Sequence, residues 1–217
     1  EGRGIYDDIK KFINYLLSSN LGEVLIVFLA MLIAFHSNDN RIIIPLTALQ
    51  LLWINLVTDG LPALALGIDP IGQDVMKRPP RNPKEHIITK SMMLNIITIG
   101  ILMTIVVLTL FRLNIDNVIK AQTMAFSAVV MLEMVRVQMI RSQYKLKLFS
   151  NKWLWLALLT SLLLQIAVVY IPQMNIVFKT VPLNMEDWGL ILAGAIFMLI
   201  VGNIANVIIR KVTKQID

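Results

Sequence analysis

The sequence contains no cysteine, only two histidines and few charged residues. Of its 217 residues, 16% are charged and 57% are hydrophobic, and the mean hydropathy is +0.71. The absence of cysteine excludes disulfides, thiolate metal sites and thiol redox chemistry. The low charge and high apolar content exclude an ordinary soluble domain and indicate a protein whose solvent is the lipid bilayer.

Two further features narrow the class of protein. The net charge of +6 does not indicate a nucleic-acid partner, because the basic residues lie between long apolar runs and not along one helix face. The first residues include no methionine, and no signal-peptide pattern follows them. We therefore expect no nucleic-acid binding, and we expect the sequence to be a piece of a longer protein.

Six apolar runs are long enough to cross the hydrocarbon core of a bilayer, which requires about 20 residues per helix. They cover approximately residues 18–36, 42–66, 92–112, 119–140, 153–171 and 188–209. Backbone groups in lipid must be hydrogen-bonded internally, and no alternating pattern indicates a barrel. The predicted fold is therefore all-α, an integral membrane bundle of six transmembrane helices spanning residues 18–209.

The distribution of lysine and arginine predicts the orientation of this bundle. Fifteen basic residues lie on the side that holds both termini, four lie on the other side, and Arg136 lies inside a span. The positive-inside rule therefore places both termini in the cytoplasm. Residues 1–17 are predicted to extend the first helix as a cytoplasmic stalk, and residues 210–217 to form a cytoplasmic tail. The basic loop 67–91 either docks a partner domain or is an ordinary positive-inside loop.

Of the fourteen acidic residues, only Glu23, Asp59 and Glu133 lie well inside predicted spans. A carboxylate at membrane depth costs a few kcal/mol, so three of them on separate helices require partners, and a cation path is the default hypothesis. The alternative is a set of protonated or salt-bridged acids that only pack helices together.

Amide and hydroxyl oxygens accompany two of these acids. Asn20 and Glu23 are three residues apart, and Asn55 and Thr58 precede Asp59 at spacings of four and one, so each group lies on or beside one helix face. Oxygen ligands without sulfur or imidazole suit a hard ion such as calcium. The sequence thus predicts two oxygen-rich surfaces that converge on a metal site.

The second predicted span contains a proline beside these oxygen donors. Pro62 has no N–H to donate to the carbonyl of Thr58 and crowds it sterically, while Gly60 adds flexibility. We expect the helix to unwind near Thr58 to Leu61 and to free carbonyl oxygens beside Asp59, as interrupted transporter helices do. The alternative is a tolerated kink that neighbouring helices repair.

Arg136 follows Glu133 by three residues in the fourth predicted span. It either pairs with Glu133 or extends its side chain toward the cytoplasmic surface.

Four sequence blocks together resemble the calcium-transporting P-type ATPases of the sarcoplasmic and endoplasmic reticulum type, called type IIA. They are EGRGIY at 1–6, SSNLGE at 18–23, QLLWINLVTDGLP at 50–62 and MKRPPR at 76–81. The resemblance covers the whole chain, closely over the first 95 residues and more loosely after about residue 140. It implies that the six spans correspond to membrane helices five to ten of such a pump.

The resemblance also implies the ion ligands and the transport cycle. It assigns the first calcium site to Asn20, Glu23, Thr58, Asp59 and Glu133. It assigns part of the second site to Asn55 and Asp59, with Asp59 bridging both ions. In this family ATP phosphorylates an aspartate to drive alternating access, and protons return through the same carboxylates. Arg136 departs from the reticulum pumps, which have an uncharged residue there, and its guanidinium would repel an ion or replace one.

The chain lacks the Asp-Lys-Thr-Gly phosphorylation motif and a nucleotide domain, so it contains no catalytic residue and should not hydrolyse ATP alone. ATP and magnesium are expected only in the other half of the pump. The expected partners are calcium ions, the lipid bilayer, and an N-terminal half with helices one to four and the cytoplasmic domains. That half would contact the stalk and loop 67–91.

Three alternatives remain open at this point. The cargo could be manganese, which also accepts oxygen ligands. The chain could be a regulatory or assembly membrane subunit that transports nothing, or a stand-alone channel or secondary transporter. The outer turn at residues 36–41 differs from that of the animal pumps, which favours a prokaryotic plasma membrane over an endoplasmic-reticulum-type membrane.

Overall fold

The structure, a computed structural model, describes residues 2–36, 42–72 and 87–216. Within these ranges the chain is helical and contains no named strand. The elements are α1 (Gly2–Ile33), α2 (Ala48–Trp53), a π-helical segment (Ile54–Thr58), α3 (Gly60–Leu66), α4 (Lys90–Leu113), α5 (Val118–Gln143), α6 (Lys152–Tyr170), α7 (Pro172–Phe178) and α8 (Met185–Ile216).

Six helical segments in the described ranges are long and apolar enough to cross a membrane. Five of them are α1, α4, α5, α6 and α8, and the sixth is the run Ala48–Leu66 formed by α2, the π-helical segment and α3. Many large apolar side chains on these helices are exposed, including Leu64 and Val24. These exposed side chains suit contact with lipid, and the prediction of an all-α bundle with six spans is confirmed.

Side-chain caps explain where several helices begin. The side chains of Thr47, Thr89, Asn117 and Asn151 each accept a hydrogen bond from a backbone N–H three residues later. Such caps satisfy N–H groups that have no partner inside the helix. Thr47 forms a complete capping box with Gln50, so the second membrane helix begins at Ala48 and not at residue 42 as predicted.

Other boundaries also differ from the prediction. The first helix ends at Ile33 and not at residue 36, because Ala34 adopts a left-handed backbone conformation with φ of 51°. α1 is continuous from Gly2, so the residues predicted as a stalk are helical. α8 likewise continues through the predicted tail as far as Ile216. The short helix α7 follows α6 and begins at Pro172, a residue that suits the first turn of a helix.

The core lies between α4 and α5, with α1 packed on α4 and α8 packed on both. Buried residues such as Met103, Phe111 and Phe126 fill it. α8 approaches α4 closely at Gly194, where an added Cβ would lie 2.6 Å from Cγ1 of Val106 on α4. The missing side chain therefore permits a helix contact that alanine would obstruct.

A buried ion-pair network ties the end of α3 to three other helices at the end of the bundle predicted to be cytoplasmic. Asp69 accepts from Lys11 Nζ of α1 at 2.8 Å and from Arg141 Nε of α5 at 3.1 Å. It also accepts from Asn151, the cap of α6, at 2.9 Å. Asp8 adds a second carboxylate to Lys11 at 2.7 Å, so two acids balance two cations in this network.

Two predicted regions are only partly described. Residues 73–86, which hold most of the basic residues of loop 67–91, lie outside the described residues, as do residues 37–41 of the outer turn. The predictions of partner docking and membrane type that rest on them remain predictions.

Candidate cation site between three helices

Three carboxylates from three separate helical segments meet inside the bundle. One oxygen each from Glu23 of α1, Asp59 before α3 and Glu133 of α5 all lie within 4.8 Å of one another. All three residues are buried, and Asp59 and Glu133 are fully so. Calcium binds oxygens at about 2.3–2.6 Å, so two oxygens on opposite sides of one ion are about 5 Å apart. The cluster therefore has the dimensions of a single divalent-cation site.

The helix that carries Asp59 is irregular at this point. The N–H of Asp59 donates to the carbonyl of Ile54 at 2.8 Å, five residues back, which closes the π-helical segment. The segment widens the helix immediately before Asp59 and buries Thr58 beside it. π-Helical turns are uncommon and occur frequently at functional sites.

The prediction that this helix unwinds near Thr58 to Leu61 is wrong in form. The chain remains helical throughout, and the distortion lies one turn earlier, at Ile54–Thr58. Pro62 does lack the N–H for the Thr58 carbonyl, as predicted. The five-residue hydrogen bond from Asp59 to Ile54 lies just before this point, and the N–H of Ala63 resumes the α-helical pattern by donating to the Asp59 carbonyl at 2.9 Å.

Several oxygens in the cluster have no hydrogen-bond donor. They are Glu23 Oε1, Thr58 Oγ1, Asp59 Oδ2 and both carboxylate oxygens of Glu133. Buried oxygens normally have a partner, and such exceptions call for a specific explanation. Three buried carboxylates this close require positive charge, either from bound protons or from a cation.

Two neighbouring side chains donate hydrogen bonds to the other oxygens of Asp59 and Glu23. Tyr15 of α1 is fully buried, and its hydroxyl donates to Asp59 Oδ1 at 2.8 Å. The Asn55 side-chain amide donates to Glu23 Oε2 at 2.5 Å. Asn55 thus links the π-helical segment to α1, although the residue itself is exposed. A half-turn of the amide would present its oxygen in place of its nitrogen.

Asn20 has a different position from the other sequence-predicted ligands. Its side chain is exposed, and its amide donates to the carbonyl of Leu16 in its own helix at 2.8 Å. The structure brings Glu23, Asp59 and Glu133 together and bonds Asn55 to Glu23. It buries Thr58 next to Asp59 in the chain and leaves Asn20 outside the buried cluster.

Arg136 neither pairs with Glu133 nor extends to the surface, so both interpretations of its position were wrong. It is fully buried and donates to three neutral oxygens: Ser18 Oγ at 2.9 Å, Asn14 Oδ1 at 2.9 Å and Asn95 Oδ1 at 2.6 Å. No carboxylate of the described residues lies within ion-pairing distance of it. The guanidinium instead links α5 to α1 and α4.

Tyr15 is the residue of this site that sequence reasoning missed. It precedes Ser19 and Glu23 at steps of four residues and lies on the same buried stripe of α1. That spacing was visible in the sequence, but an aromatic residue in an apolar helix resembles ordinary core, and only its contact with Asp59 distinguishes it.

Comparison with known proteins identifies the family to which this arrangement belongs. Residues 43–208 match the family model described as cation transporting ATPase, C-terminus. The chain belongs to that family. Glu23 lies before the matched segment, whereas Asp59 and Glu133 lie within it, so the family match includes two of the three clustered acids.

The similarity extends to whole curated proteins. The chain is 40% identical to a calcium-transporting ATPase of Bacillus subtilis over 199 residues. This match covers 88% of the chain and 22% of that relative. It is 37% identical to calcium-transporting ATPase 1 of Bacillus cereus, over 94% of the chain and 25% of the relative. It is 35% identical to the human calcium-transporting ATPase type 2C member 1, over all of the chain and 24% of the relative.

These matches confirm the resemblance stated from the sequence blocks. The chain spans about a quarter of the length of the curated relatives it matches.

Proposed function

We propose that this chain is the ion-binding membrane region of an ATP-driven calcium pump. Joined to an ATP-hydrolysing half, it carries calcium out of the cytoplasm, with protons returning through the same carboxylates. The observation that carries the proposal is the cluster of Glu23, Asp59 and Glu133, three buried acids within 4.8 Å on separate helical segments.

Calcium suits this cluster better than a softer metal. The cluster offers carboxylate, hydroxyl and amide oxygens, and it includes no histidine or cysteine in the described part of the chain. Calcium takes six to eight such oxygens in flexible geometry, which carboxylates from independent helices can provide. The names of the curated relatives, which are calcium-transporting ATPases, support the same cargo.

The burial and contacts of these residues support the following ligand assignment. Glu23, Asp59 and Glu133 supply the charge, the unpartnered hydroxyl of Thr58 supplies a neutral oxygen, and Asn55 supplies one through its amide. Asn20 joins only if its side chain leaves the Leu16 carbonyl and turns toward Glu23. We therefore expect Asn20 to contribute less to affinity than the three acids.

The same three acids explain how transport would couple to protons. A calcium ion with two positive charges offsets most of the repulsion among the carboxylates, and protons must replace that charge when the ion leaves. The movement between these states belongs to the ATP-hydrolysing half, through an interface proposed at the N-terminal part of α1 and at loop 67–91. Both termini are proposed to lie in the cytoplasm.

Calcium titration of the purified chain tests the proposal. We expect isothermal titration near neutral pH to show binding that Asp59→Asn and Glu23→Gln weaken by at least about tenfold, since each removes a charged ligand. Asp116→Asn is the matched control, because Asp116 is exposed on the connection between α4 and α5. Binding that is equally strong in all four proteins would refute the assignment.

The alternatives predict different results. Manganese as cargo predicts that manganese displaces calcium at comparable concentration. A non-transporting regulatory or assembly subunit predicts that Asp59→Asn leaves metal binding unchanged, and a stand-alone channel predicts ion passage through liposomes without ATP. If the unaltered chain binds no calcium, the site requires ligands from the other half, and the same variants are then titrated in the complete pump.

A further inference from the structure

A second polar site lies at the end of the bundle that holds the N-terminal part of α1. It is a cavity of about 250 Å³ where α1, the start of α4, the end of α5 and the end of α8 meet. Its lining residues are Lys10, Asn14, Thr89, Ser91, Met92, Asn95, Gln143, Tyr144, Asn206, Ile209 and Arg210. The cavity has room for far more than one water molecule. We call it the α1–α8 end cavity.

The charge of this cavity has one sign. Lys10 and Arg210 line it, and an adjoining cavity that shares Ser91 and Arg210 adds Lys211. Neither lining includes an acidic residue. The first turn of α4, at Ser91 and Met92, adds the positive end of a 24-residue helix. Both the side chains and the backbone therefore favour an anion.

Buried donors without acceptors point the same way. Asn206 is only 7% exposed, and its side-chain N–H groups have no hydrogen-bond partner. The side-chain nitrogen of Gln143 is likewise buried without an acceptor. Leaving a buried donor unsatisfied costs about 1–3 kcal/mol. Both residues line the cavity, and a ligand rich in acceptor oxygens would satisfy their amides once the side chains turn toward it.

Arg136 supplies an independent reason for an anion. Two of its three acceptors, Asn14 and Asn95, line the α1–α8 end cavity, so the buried guanidinium is separated from the cavity by only these side chains. It has no carboxylate within ion-pairing distance among the described residues, and its Nη1 is unpartnered. A buried cation without an ion-pair partner is costly, and an anion in this cavity would offset part of that cost across Asn14 and Asn95.

We propose that the α1–α8 end cavity binds a phosphate group. Phosphate offers only acceptor oxygens, and arginine, lysine and helix N-termini are its usual partners in proteins. Two sources present this chemistry at the predicted membrane surface, the headgroup of an anionic phospholipid and free inorganic phosphate. The proposal does not rest on the metal site, because none of its three acids lines this cavity.

Native mass spectrometry of the chain in detergent tests the proposal, with phosphatidylglycerol as the probe and phosphatidylcholine as the neutral comparison. We expect tighter binding of phosphatidylglycerol, weakened at least about fivefold by Arg210→Gln and by Asn206→Leu. The second substitution leaves the net charge unchanged, so it separates a specific site from general attraction. Lys147→Gln is the matched control, because Lys147 is exposed at the same end of the bundle and lines neither cavity.

Inorganic phosphate distinguishes the two sources. If millimolar phosphate displaces phosphatidylglycerol from the unaltered chain, the phosphate group alone is the ligand, and if it does not, the site takes a lipid headgroup. Helicity by circular dichroism checks that each variant is folded, and Lys10→Gln replaces Arg210→Gln if the latter is not. The proposal is overturned if Arg210→Gln and Asn206→Leu leave phosphatidylglycerol binding unchanged, or if Lys147→Gln weakens it as much as Arg210→Gln.

Discussion

The hydroxyl of Tyr15 donates a 2.8 Å hydrogen bond to Oδ1 of Asp59, joining α1 to the carboxylate that follows the π-helical segment. Both side chains are fully buried. The contact fixes one oxygen of Asp59 and leaves the other, Oδ2, without a donor. Tyr15 is therefore a positioning residue for the cluster.

Removing this hydroxyl should affect both the site and the stability of the bundle. We expect Tyr15→Phe to lower the free energy of unfolding by about 1–2 kcal/mol, because a hydrogen bond to a buried carboxylate is lost. Calcium affinity should fall by about tenfold, as for other residues that orient a metal ligand. Thermal unfolding in detergent and calcium titration measure the two effects. In an Asp59→Asn background the additional effect of Tyr15→Phe should shrink, and full additivity would contradict the coupling.

The network around Asp69 should be the more important for stability. Asp69→Asn leaves Lys11 and Arg141 buried without the carboxylate they share, and breaking a buried pair in this way costs about 3–5 kcal/mol. The thermal unfolding temperature of the chain should drop accordingly. Adding Arg141→Met should recover part of the loss, because Lys11 still has Asp8 at 2.7 Å and Arg141 is the cation left without a carboxylate. An Asp69→Asn chain as stable as Asp116→Asn would show that the network contributes little.

Pro62 should control the π-helical segment. Pro62→Ala restores the N–H that the Thr58 carbonyl lacks, so we expect the helix to revert toward regular α-helical hydrogen bonding. That change rotates Asp59 relative to Glu23 and Glu133, and calcium affinity should fall although no ligand is removed. Calcium titration measures this affinity, and Pro172→Ala at the first turn of α7 is the matched control. Unchanged affinity would mean that the distortion does not depend on the proline.

Arg136 should weaken cation binding through its charge. It follows Glu133 by three residues, so the two lie one helical turn apart, about 5–6 Å between Cβ atoms. A buried positive charge near the cluster opposes the binding of a cation there, because the low dielectric screens it little. We therefore expect Arg136→Gln to bind calcium more tightly, or to bind a second ion, in the same titration. Weaker binding in a folded Arg136→Gln chain would instead assign the arginine a supporting role.

Part of this fold could be predicted from local sequence because its causes are local. Six runs of about 20 apolar residues must be helices in lipid. An α-helix forms its backbone hydrogen bonds within a single segment, and lipid offers no other partner for those groups. The helix boundaries were missed where a side chain or a backbone angle decides them, as at Ala34 and Thr47.

The sequence by itself determined that three acids had to lie inside the membrane, because their positions along apolar runs leave no other place for Glu23, Asp59 and Glu133. Only the tertiary structure decided that these acids meet, that Tyr15 holds one of them, and that Arg136 contacts amides instead of Glu133. Periodicity specifies which face of a helix a side chain occupies, but the partner on that face depends on how helices far apart in sequence pack. That packing is set by long-range contacts between helices, such as α1 with α4, which no local pattern encodes.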